Sequence, residues 1–219
     1  MMSTSHDSNA PEVIPHPFRG DTFLLRTVQQ LMRAGQISTF VETGAFYGIT
    51  TAAMAQRYPQ VRCYSCEINP AHYHHAAARV AGLANVTLTE EDASALLARL
   101  APEARTVPTL FWLDAHGYGF PWPLRKEIRI IAEQWEHAWV LIDDFLVPDR
   151  PWFGYDEYDG QVCSYAYIRD QLGTRPHRLW YPTYQPPVEW PLRGWCVLAL
   201  GDLEWTPDPW LEQAEEAGE

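Results

Sequence analysis

The chain has 219 residues, of which 47% are hydrophobic and 20% charged, and its formal net charge is −12. This length and composition are typical of a single globular domain, and the longest apolar runs are too short to cross a bilayer. The acidic balance offers no surface that would follow a phosphate backbone, so we expect neither a nucleic acid nor a membrane as partner.

The two ends of the chain predict where the folded domain lies. Residues 1–19 lack the basic and apolar regions of a signal peptide, and we expect a disordered tail there. Residues 202–219 carry seven acids and no base, which predicts a solvated acidic tail. The domain is therefore expected over residues 20–201.

The cysteines indicate the compartment. Cys63 and Cys66 lie in a predicted strand, where residues three apart point to opposite faces, so a zinc site is not expected. We interpret them as buried thiols in a reducing compartment, and we expect a cytoplasmic protein.

Apolar periodicity predicts an N-terminal helix over residues 21–34, which ends before Gly35. Five predicted strands then alternate with helices, over residues 37–41, 61–66, 86–89, 109–113 and 138–142. The intervening helices are predicted over 47–57, 69–81, 93–100 and 124–136. The chain continues with a predicted helix over 162–172 and strands over 177–181 and 195–200. This alternation predicts an α/β fold with a doubly wound, mostly parallel seven-stranded sheet, the last strand antiparallel.

Acidic residues follow the carboxyl ends of five successive strands. They are Glu42, Glu67, Asp92, Asp114 and the pair Asp143–Asp144. A single acid there is commonly a turn or helix cap, but caps do not explain five of them well. Because ligands of open parallel sheets bind beyond the carboxyl ends of the strands, the pattern predicts a binding site at this edge.

A glycine turn, Gly44-x-x-x-Gly48, follows the first strand and leads into a helix. Glycine lets the backbone approach a ligand closely, and the helix N-terminus then faces that ligand. Glu67 lies at the end of the next strand, where a carboxylate can bind a ribose diol. Asp92 suits either the edge of an adenine or the N-cap of the following helix, and both interpretations stay open.

A second acidic group consists of Asp114, Asp143 and Asp144. Three carboxylates at one point repel each other unless a cation neutralises them, and oxygen ligands suit Mg²⁺ or Mn²⁺. The alternative is that only one of the three faces the cleft while the others cap helices or loops.

Five segments carry a resemblance to a known family: residues 42–48, 66–70, 85–88, 111–114 and 141–144. Over roughly residues 37–148 the chain resembles the class I S-adenosylmethionine-dependent methyltransferases, and most of all the divalent-metal-dependent O-methyltransferases of the catechol and macrocin type. The resemblance implies S-adenosylmethionine as cofactor, Mg²⁺ or Mn²⁺, and transfer to a hydroxyl of a sugar-like or phenol-like molecule. The alternatives are a metal-independent methyltransferase and a non-catalytic S-adenosylmethionine-binding module.

The resemblance also implies roles for single residues. The implied cofactor-binding residues are Glu42, Gly44, Ala45, Gly48, Thr50, Glu67, Ile68, Asp92, Ala93 and Asp114. The implied metal ligands are Asp114, Asp143 and Asp144. Catechol-type enzymes carry a lysine base where this chain has Gly117, so His116 and Asp114 are the catalytic candidates. The other interpretation of His116 is a loop residue that packs over the cofactor.

The loop of residues 148–160 directly follows the predicted metal pair and is a candidate lid. Its predicted substrate contacts are Tyr155, Asp156, Tyr158 and Asp159. Aromatic side chains in this loop could stack on a sugar or a phenol. The expected partners are a hydroxylated small molecule and, in a homodimer, a second copy of the chain.

Overall fold

The computed structural model describes residues 16–115, 122–185 and 192–214 of the chain. Its strands, in chain order, are β1 (Thr39–Thr43), β2 (Arg62–Cys66), β3 (Val86–Thr89), β4 (Thr109–Leu113), β5 (Ala138–Asp143), β6 (Phe153–Gly154), β7 (Glu157–Tyr158), β8 (Gln161–Val162), β9 (His177–Pro182), β10 (Leu192–Arg193), β11 (Trp195–Leu200) and β12 (Leu211–Gln213). The helices are α1 (Thr22–Ala34), α2 (Ile49–Arg57), α3 (Pro70–Val80), α4 (Ala93–Ala104), α5 (Leu124–Gln134) and α6 (Tyr165–Ile168). A turn with left-handed backbone covers Pro17–Gly20, and a 3₁₀ turn covers Arg169–Gln171.

Eight of these strands form one sheet, in the order β12-β9-β11-β5-β4-β1-β2-β3. The strands β1 to β5 are parallel, whereas β11 pairs antiparallel with both β5 and β9. The predicted doubly wound sheet of seven strands with an antiparallel last strand is therefore confirmed. The short strand β12 extends it at one edge by pairing antiparallel with β9.

The two faces of the sheet pack against different helices. Alternate residues point to opposite faces of a strand, so Phe40 packs in a core with α1 and α2 while Val41 packs in a core with α4 and α5. Cys63 and Cys66 divide between the same two cores, as the strand period predicts. All positions of β1, β4 and β5 are buried, which is typical of parallel strands covered on both faces.

Both predicted tails contribute to the packed structure. Residues 16–19 belong to the predicted N-terminal tail, but Phe18 is buried, with its ring edge-on to Trp112 at 5.1 Å between centroids. In the predicted acidic tail, Leu211 is buried in β12 and the Trp210 indole donates a hydrogen bond to Thr27 Oγ1 at 3.1 Å. The sheet thus extends past residue 201, because apolar side chains are interspersed among the acids of this segment.

The predicted helix over residues 162–172 is shorter in the structure. Gln161–Val162 pair with Glu157–Tyr158 in an antiparallel hairpin, so the helical part begins only at Tyr165. It continues as a 3₁₀ turn over Arg169–Gln171. Among the helices of the described residues, none combines the length and the hydrophobicity that a membrane span requires.

Candidate active site

A pocket of about 460 Å³ opens at the carboxyl edge of the parallel strands. Seven carboxylate residues line it: Glu42, Glu67, Glu91, Asp92, Asp114, Asp144 and Asp156. Arg19 and His16 are the basic residues among its described lining. A cavity of this size suits a small molecule or cofactor, and an excess of carboxylates favours a cationic ligand.

The glycine turn shapes one wall of this pocket. Gly44 has φ +79° and Gly48 has φ +72°, both in the left-handed region. A Cβ at Gly44 would lie 2.5 Å from the carbonyl oxygen of Asp114, and one at Gly48 would lie 3.0 Å from Ala76 Cα. The glycines thus let the turn approach β4 and α3, whereas the sequence predicted an approach to a ligand. Gly44, Ala45 and Thr50 line the pocket, and Gly48, the N-cap of α2, is absent from its lining.

Glu67 is held at the end of β2 by backbone hydrogen bonds. The backbone N–H of Phe46 donates to its Oε2 at 2.7 Å, and that of Asn69 donates to its Oε1 at 2.8 Å. These bonds fix the turn that contains Phe46, whose φ is +49°. Each carboxylate oxygen accepts more than one hydrogen bond, so the side chain keeps capacity for a ribose diol. Ile68, 40% exposed, lines the pocket beside it.

Three residues in or beside the wall of the pocket were missed from the sequence. Phe46 and Tyr47 stack at 4.1 Å between ring centroids in the wall of the pocket. His72 packs edge-on against Phe46, and its Nδ1 lies 4.0 Å from Glu67 Oε1. The first two could have been found, because they lie inside the glycine turn itself. No local sequence signal predicts that His72 faces Glu67.

Asp92 has both features that the sequence left open. Its Oδ1 accepts hydrogen bonds from the backbone N–H groups of Ser94 at 2.9 Å and Ala95 at 3.3 Å, so it caps α4. Asp92 and Ala93 also line the pocket. Glu91, which was not predicted as a site residue, lines it too and accepts a hydrogen bond from Arg99 at 2.5 Å.

Glu42 lies inside β1, and its carboxyl group is buried. The hydroxyl groups of Thr51 and Ser65 donate to its Oε2, the latter at 3.4 Å. Burial nevertheless raises the pKa of Glu42 from the ordinary 4.5 to about 8. The carboxyl group is therefore mainly protonated at neutral pH, and a cation bound in the pocket would favour its ionised form.

This pKa shift predicts a pH-dependent stability. Between about pH 4.5 and about 8 the folded chain keeps a proton on Glu42 that the unfolded chain releases, so the stability contributed by Glu42 falls as the pH rises. We expect the loss to reach a few kcal/mol, since one pKa unit is worth about 1.4 kcal/mol. Urea unfolding across this range should show a flatter profile for Glu42→Gln than for the wild type. The variant Glu90→Gln, at an exposed glutamate, should keep the wild-type profile, and parallel profiles for all three proteins would contradict the assignment.

The predicted metal ligands come together at the ends of β4 and β5. Carboxylate oxygens of Asp114, Asp143 and Asp144 lie within 4.8 Å of one another. The guanidinium group of Arg19 lies among them: its Nη1 donates to Asp144 Oδ1 at 2.9 Å, and its Nη2 donates to Asp144 Oδ2 at 3.0 Å. Nη2 also donates to Asp143 Oδ2 and lies 3.8 Å from Asp114 Oδ1.

A second arginine adds to this network. Arg193, in β10, donates to Asp144 through Nε and to Asp156 through Nη2. Neither arginine could be predicted from local sequence: Arg19 lies in the segment expected to be disordered, and no motif marks Arg193. The three aspartates have the oxygen donors that Mg²⁺ prefers, but the Arg19 guanidinium engages the same oxygens. A divalent ion therefore does not fit this arrangement of the described residues.

The predicted substrate residues divide into two groups. Asp156 and Tyr158 line the pocket, and the Tyr158 hydroxyl donates to Asp156 Oδ2 at 2.6 Å. Burial, together with the Asp156 carboxylate, raises the pKa of Tyr158 above its ordinary value. Tyr155, 41% exposed, and Asp159, also exposed, are absent from the lining. His116, the predicted base, lies outside the described residues.

No protein-family model matches the chain, and no curated protein matches it in sequence. Several solved structures share its architecture. A Staphylococcus aureus protein described as a candidate caffeoyl-CoA O-methyltransferase is 14% identical, with a TM-score of 0.58 over 83% of this chain and 84% of that one. The O-methyltransferase TomG of Streptomyces achromogenes, in complex with SAM, is 15% identical, with a TM-score of 0.57 over 81% and 80%. An O-methyltransferase from Bacillus cereus, in complex with SAH, is 12% identical, with a TM-score of 0.55 over 81% and 80%.

The chain shares its fold with these three O-methyltransferases. Because the sequences are only 12–15% identical, the comparison establishes a shared fold and no shared activity. Within this methyltransferase fold the pocket lies at the carboxyl edge of the parallel strands, where open α/β sheets bind their ligands. Nine of the ten predicted cofactor-binding residues line that pocket, all but Gly48.

Proposed function

We propose that the chain is an S-adenosylmethionine-dependent O-methyltransferase that acts on a hydroxyl group of a small, sugar-like or phenol-like molecule. The observation that carries the proposal is the carboxylate-lined pocket at the carboxyl edge of a sheet with the O-methyltransferase fold. A cofactor with a sulfonium and an ammonium group matches a pocket lined by seven carboxylate residues. The volume of the pocket, about 460 Å³, is in the range of sites that bind small molecules and cofactors.

The pocket residues suggest how the cofactor would lie. When bound, S-adenosylmethionine supplies a methyl group attached to a positively charged sulfur. Glu67 would accept hydrogen bonds from the ribose, and Ile68 and Asp92 would lie beside the adenine. Glu42 and the Gly44 turn would hold the methionine end, where the buried Glu42 carboxyl group would ionise against the ammonium charge.

The substrate would enter from the side of Asp156 and Tyr158. Its hydroxyl oxygen would form a bond to the methyl carbon while the bond from that carbon to sulfur breaks, and sulfur keeps the electron pair. The hydroxyl proton has to leave to a base. Asp114 lines the pocket with 30% of its side chain exposed, and it is the described residue best placed for this role. His116 remains the other predicted base.

Two versions of the reaction differ in what neutralises Asp114, Asp143 and Asp144. Magnesium assistance, as the resemblance implies, is supported by the three converging carboxylates. The metal-independent version is supported by the ion pairs of Arg19 with the same carboxylates. Because a divalent ion does not fit beside Arg19, we favour the metal-independent version and route no step through a metal.

Cofactor binding is the direct test of this proposal. Glu67→Gln keeps the shape of the side chain but removes its charge, and its amide group would meet one of the two backbone donors. Hydrogen bonds to charged groups contribute about 1.5–3 kcal/mol, so we expect S-adenosylmethionine to bind about 10- to 100-fold more weakly. Isothermal titration calorimetry measures this effect, with the exposed Glu90→Gln as matched control.

Wild-type protein that does not bind S-adenosylmethionine would refute the proposal. Binding without methyl transfer to any member of a panel of catechols and sugars would favour the non-catalytic binding module. Turnover that survives excess EDTA would support the metal-independent version, and turnover that EDTA abolishes and Mg²⁺ restores would support the other.

A further inference from the structure

We propose that Arg19 is the built-in cation of the acidic cluster: its guanidinium group takes the position that a divalent ion would occupy and excludes that ion. Arg19 is then a positioning residue, which holds Asp114, Asp143 and Asp144 together at the ends of β4 and β5. The exclusion of a divalent ion by Arg19 does not depend on the proposed function. Only the expected effect of Arg19 on methyl transfer rests on it.

The hydrogen bonds of Arg19 hold its guanidinium group in one orientation. Its two terminal nitrogens engage both oxygens of Asp144 in a fork, at 2.9 and 3.0 Å, and Nη2 also reaches Asp143. Paired hydrogen bonds between a guanidinium and a carboxylate fix orientation as well as charge. A divalent ion needs the same oxygens and would bring like charge against the guanidinium, so the two cations exclude each other.

The backbone that carries Arg19 is anchored on both sides. On one side, the Phe18 ring is buried against Trp112, and the Phe18 backbone N–H donates to Thr50 Oγ1 at 3.4 Å. On the other side, Asp21 caps α1 and accepts a hydrogen bond from the Tyr184 hydroxyl. These contacts fix the chain both before and after Arg19.

The conformation of this turn needs such anchors. Phe18, Arg19 and Gly20 have φ values of 51°, 54° and 77°, all in the left-handed region. Non-glycine residues in this region persist only where surrounding contacts hold them. The anchored turn therefore holds the guanidinium group of Arg19 at a fixed position in the site.

The aspartates need a cation at this place. The side chains of Asp143 and Asp144 are only 4% and 6% exposed. Buried carboxylates without a partner are strongly unfavourable. Arg193 compensates Asp144 and Asp156 from the other side. Removing Arg19 therefore leaves a set of converging carboxylates with less compensation, which is the arrangement that binds a divalent cation.

Manganese binding tests the assignment without any enzymatic assay. Free Mn²⁺ is followed by electron paramagnetic resonance in titrations of the wild type, Arg19→Met and the double variant Arg19→Met/Asp143→Asn. We expect Arg19→Met to bind one Mn²⁺ at least about tenfold more tightly than the wild type, and the double variant to lose that gain. The matched control is Arg26→Met, an exposed arginine of α1, which should behave as the wild type.

Two outcomes would overturn the assignment. The first is a wild type that binds Mn²⁺ as tightly as Arg19→Met and loses it on Asp143→Asn, since the metal would then displace the arginine. The second is a folded Arg19→Met that gains no Mn²⁺ site. If Arg19→Met does not fold, Arg19→Lys takes its place: a lysine cannot form the fork, so we expect partial Mn²⁺ binding, and no gain would again contradict the proposal.

The turnover measurement separates this inference from the proposed function. Wild-type methyl transfer should be unaffected by EDTA, whereas the reduced activity of Arg19→Met should recover at least in part with added Mn²⁺. A merely structural role of Arg19 would give no such metal rescue. If the chain binds no S-adenosylmethionine, the proposed function fails, while the Mn²⁺ titrations still decide the role of Arg19.

Discussion

Replacing Gly44 with alanine is expected to lower stability by about 2–5 kcal/mol and to slow methyl transfer about 100-fold. The added Cβ would lie 2.5 Å from the carbonyl oxygen of Asp114 and 2.8 Å from Ala115 Cα, and neither backbone atom can rotate away as a side chain could. Overpacking costs about 1–3 kcal/mol, and a left-handed φ costs an L-residue about 1–2 kcal/mol. The turn after β1 and the end of β4 would separate, and a displacement of about 1 Å at a reacting group can cost about 100-fold in rate.

Gly82 provides the matched control for this variant. Its φ of +86° is close to the +79° of Gly44, but no atom lies within 4 Å of a Cβ built on it. Gly82→Ala therefore has the conformational cost without the collision. Thermal unfolding and initial rates of methyl transfer are measured for both variants. The difference between them gives the effect of the contact of the Gly44 turn with the backbone of Asp114 and Ala115. Equal losses of stability, together with an unchanged rate for Gly44→Ala, would contradict the packing role of Gly44.

The arrangement of the sheet could be predicted because its signals are local. Apolar runs of four to six residues alternate with helical periods, and the rule that ligands bind at the carboxyl edge of parallel strands turns five scattered acids into one site. The first strand shows the limit of this reasoning. It was expected to stop before Glu42, but β1 continues to Thr43. A buried Glu42 whose pKa is raised by burial and that is bonded to Thr51 and Ser65 does not end a strand as an exposed carboxylate would.

The cation of the cluster could not be predicted from the sequence. Arg19 pairs with Asp143 and Asp144 across 124 and 125 residues, and no local period or motif encodes a contact of that span. Its segment is rich in polar residues and proline, so composition indicated disorder. The left-handed turn that points Arg19 into the pocket depends on Trp112 and Tyr184, which only the folded chain brings together.

The Phe18 side chain anchors the left-handed turn that carries Arg19. We expect Phe18→Ala to lower the free energy of unfolding by about 3–5 kcal/mol. The Phe18 ring is 2% exposed and packs edge-on against Trp112, so its removal leaves a cavity between the N-terminal turn and β4. Without this anchor the left-handed backbone at Phe18 and Arg19 has less to hold it. Arg19 should then leave the aspartates for part of the time, and Mn²⁺ binding should rise towards that of Arg19→Met.

Phe111→Ala separates the loss of packing from the release of Arg19. Phe111 is also fully buried and packs edge-on against a tryptophan, Trp135, at 5.1 Å between ring centroids, but it lies in the core on the other face of the sheet. Its truncation should lower the unfolding free energy in urea while Arg19 stays among the aspartates and Mn²⁺ binding stays at the wild-type level. If both variants are destabilised and neither gains Mn²⁺ affinity, the ion pairs alone hold Arg19 in place. If Phe18→Ala keeps wild-type stability, the turn is not anchored by Trp112, and the built-in cation loses its structural basis.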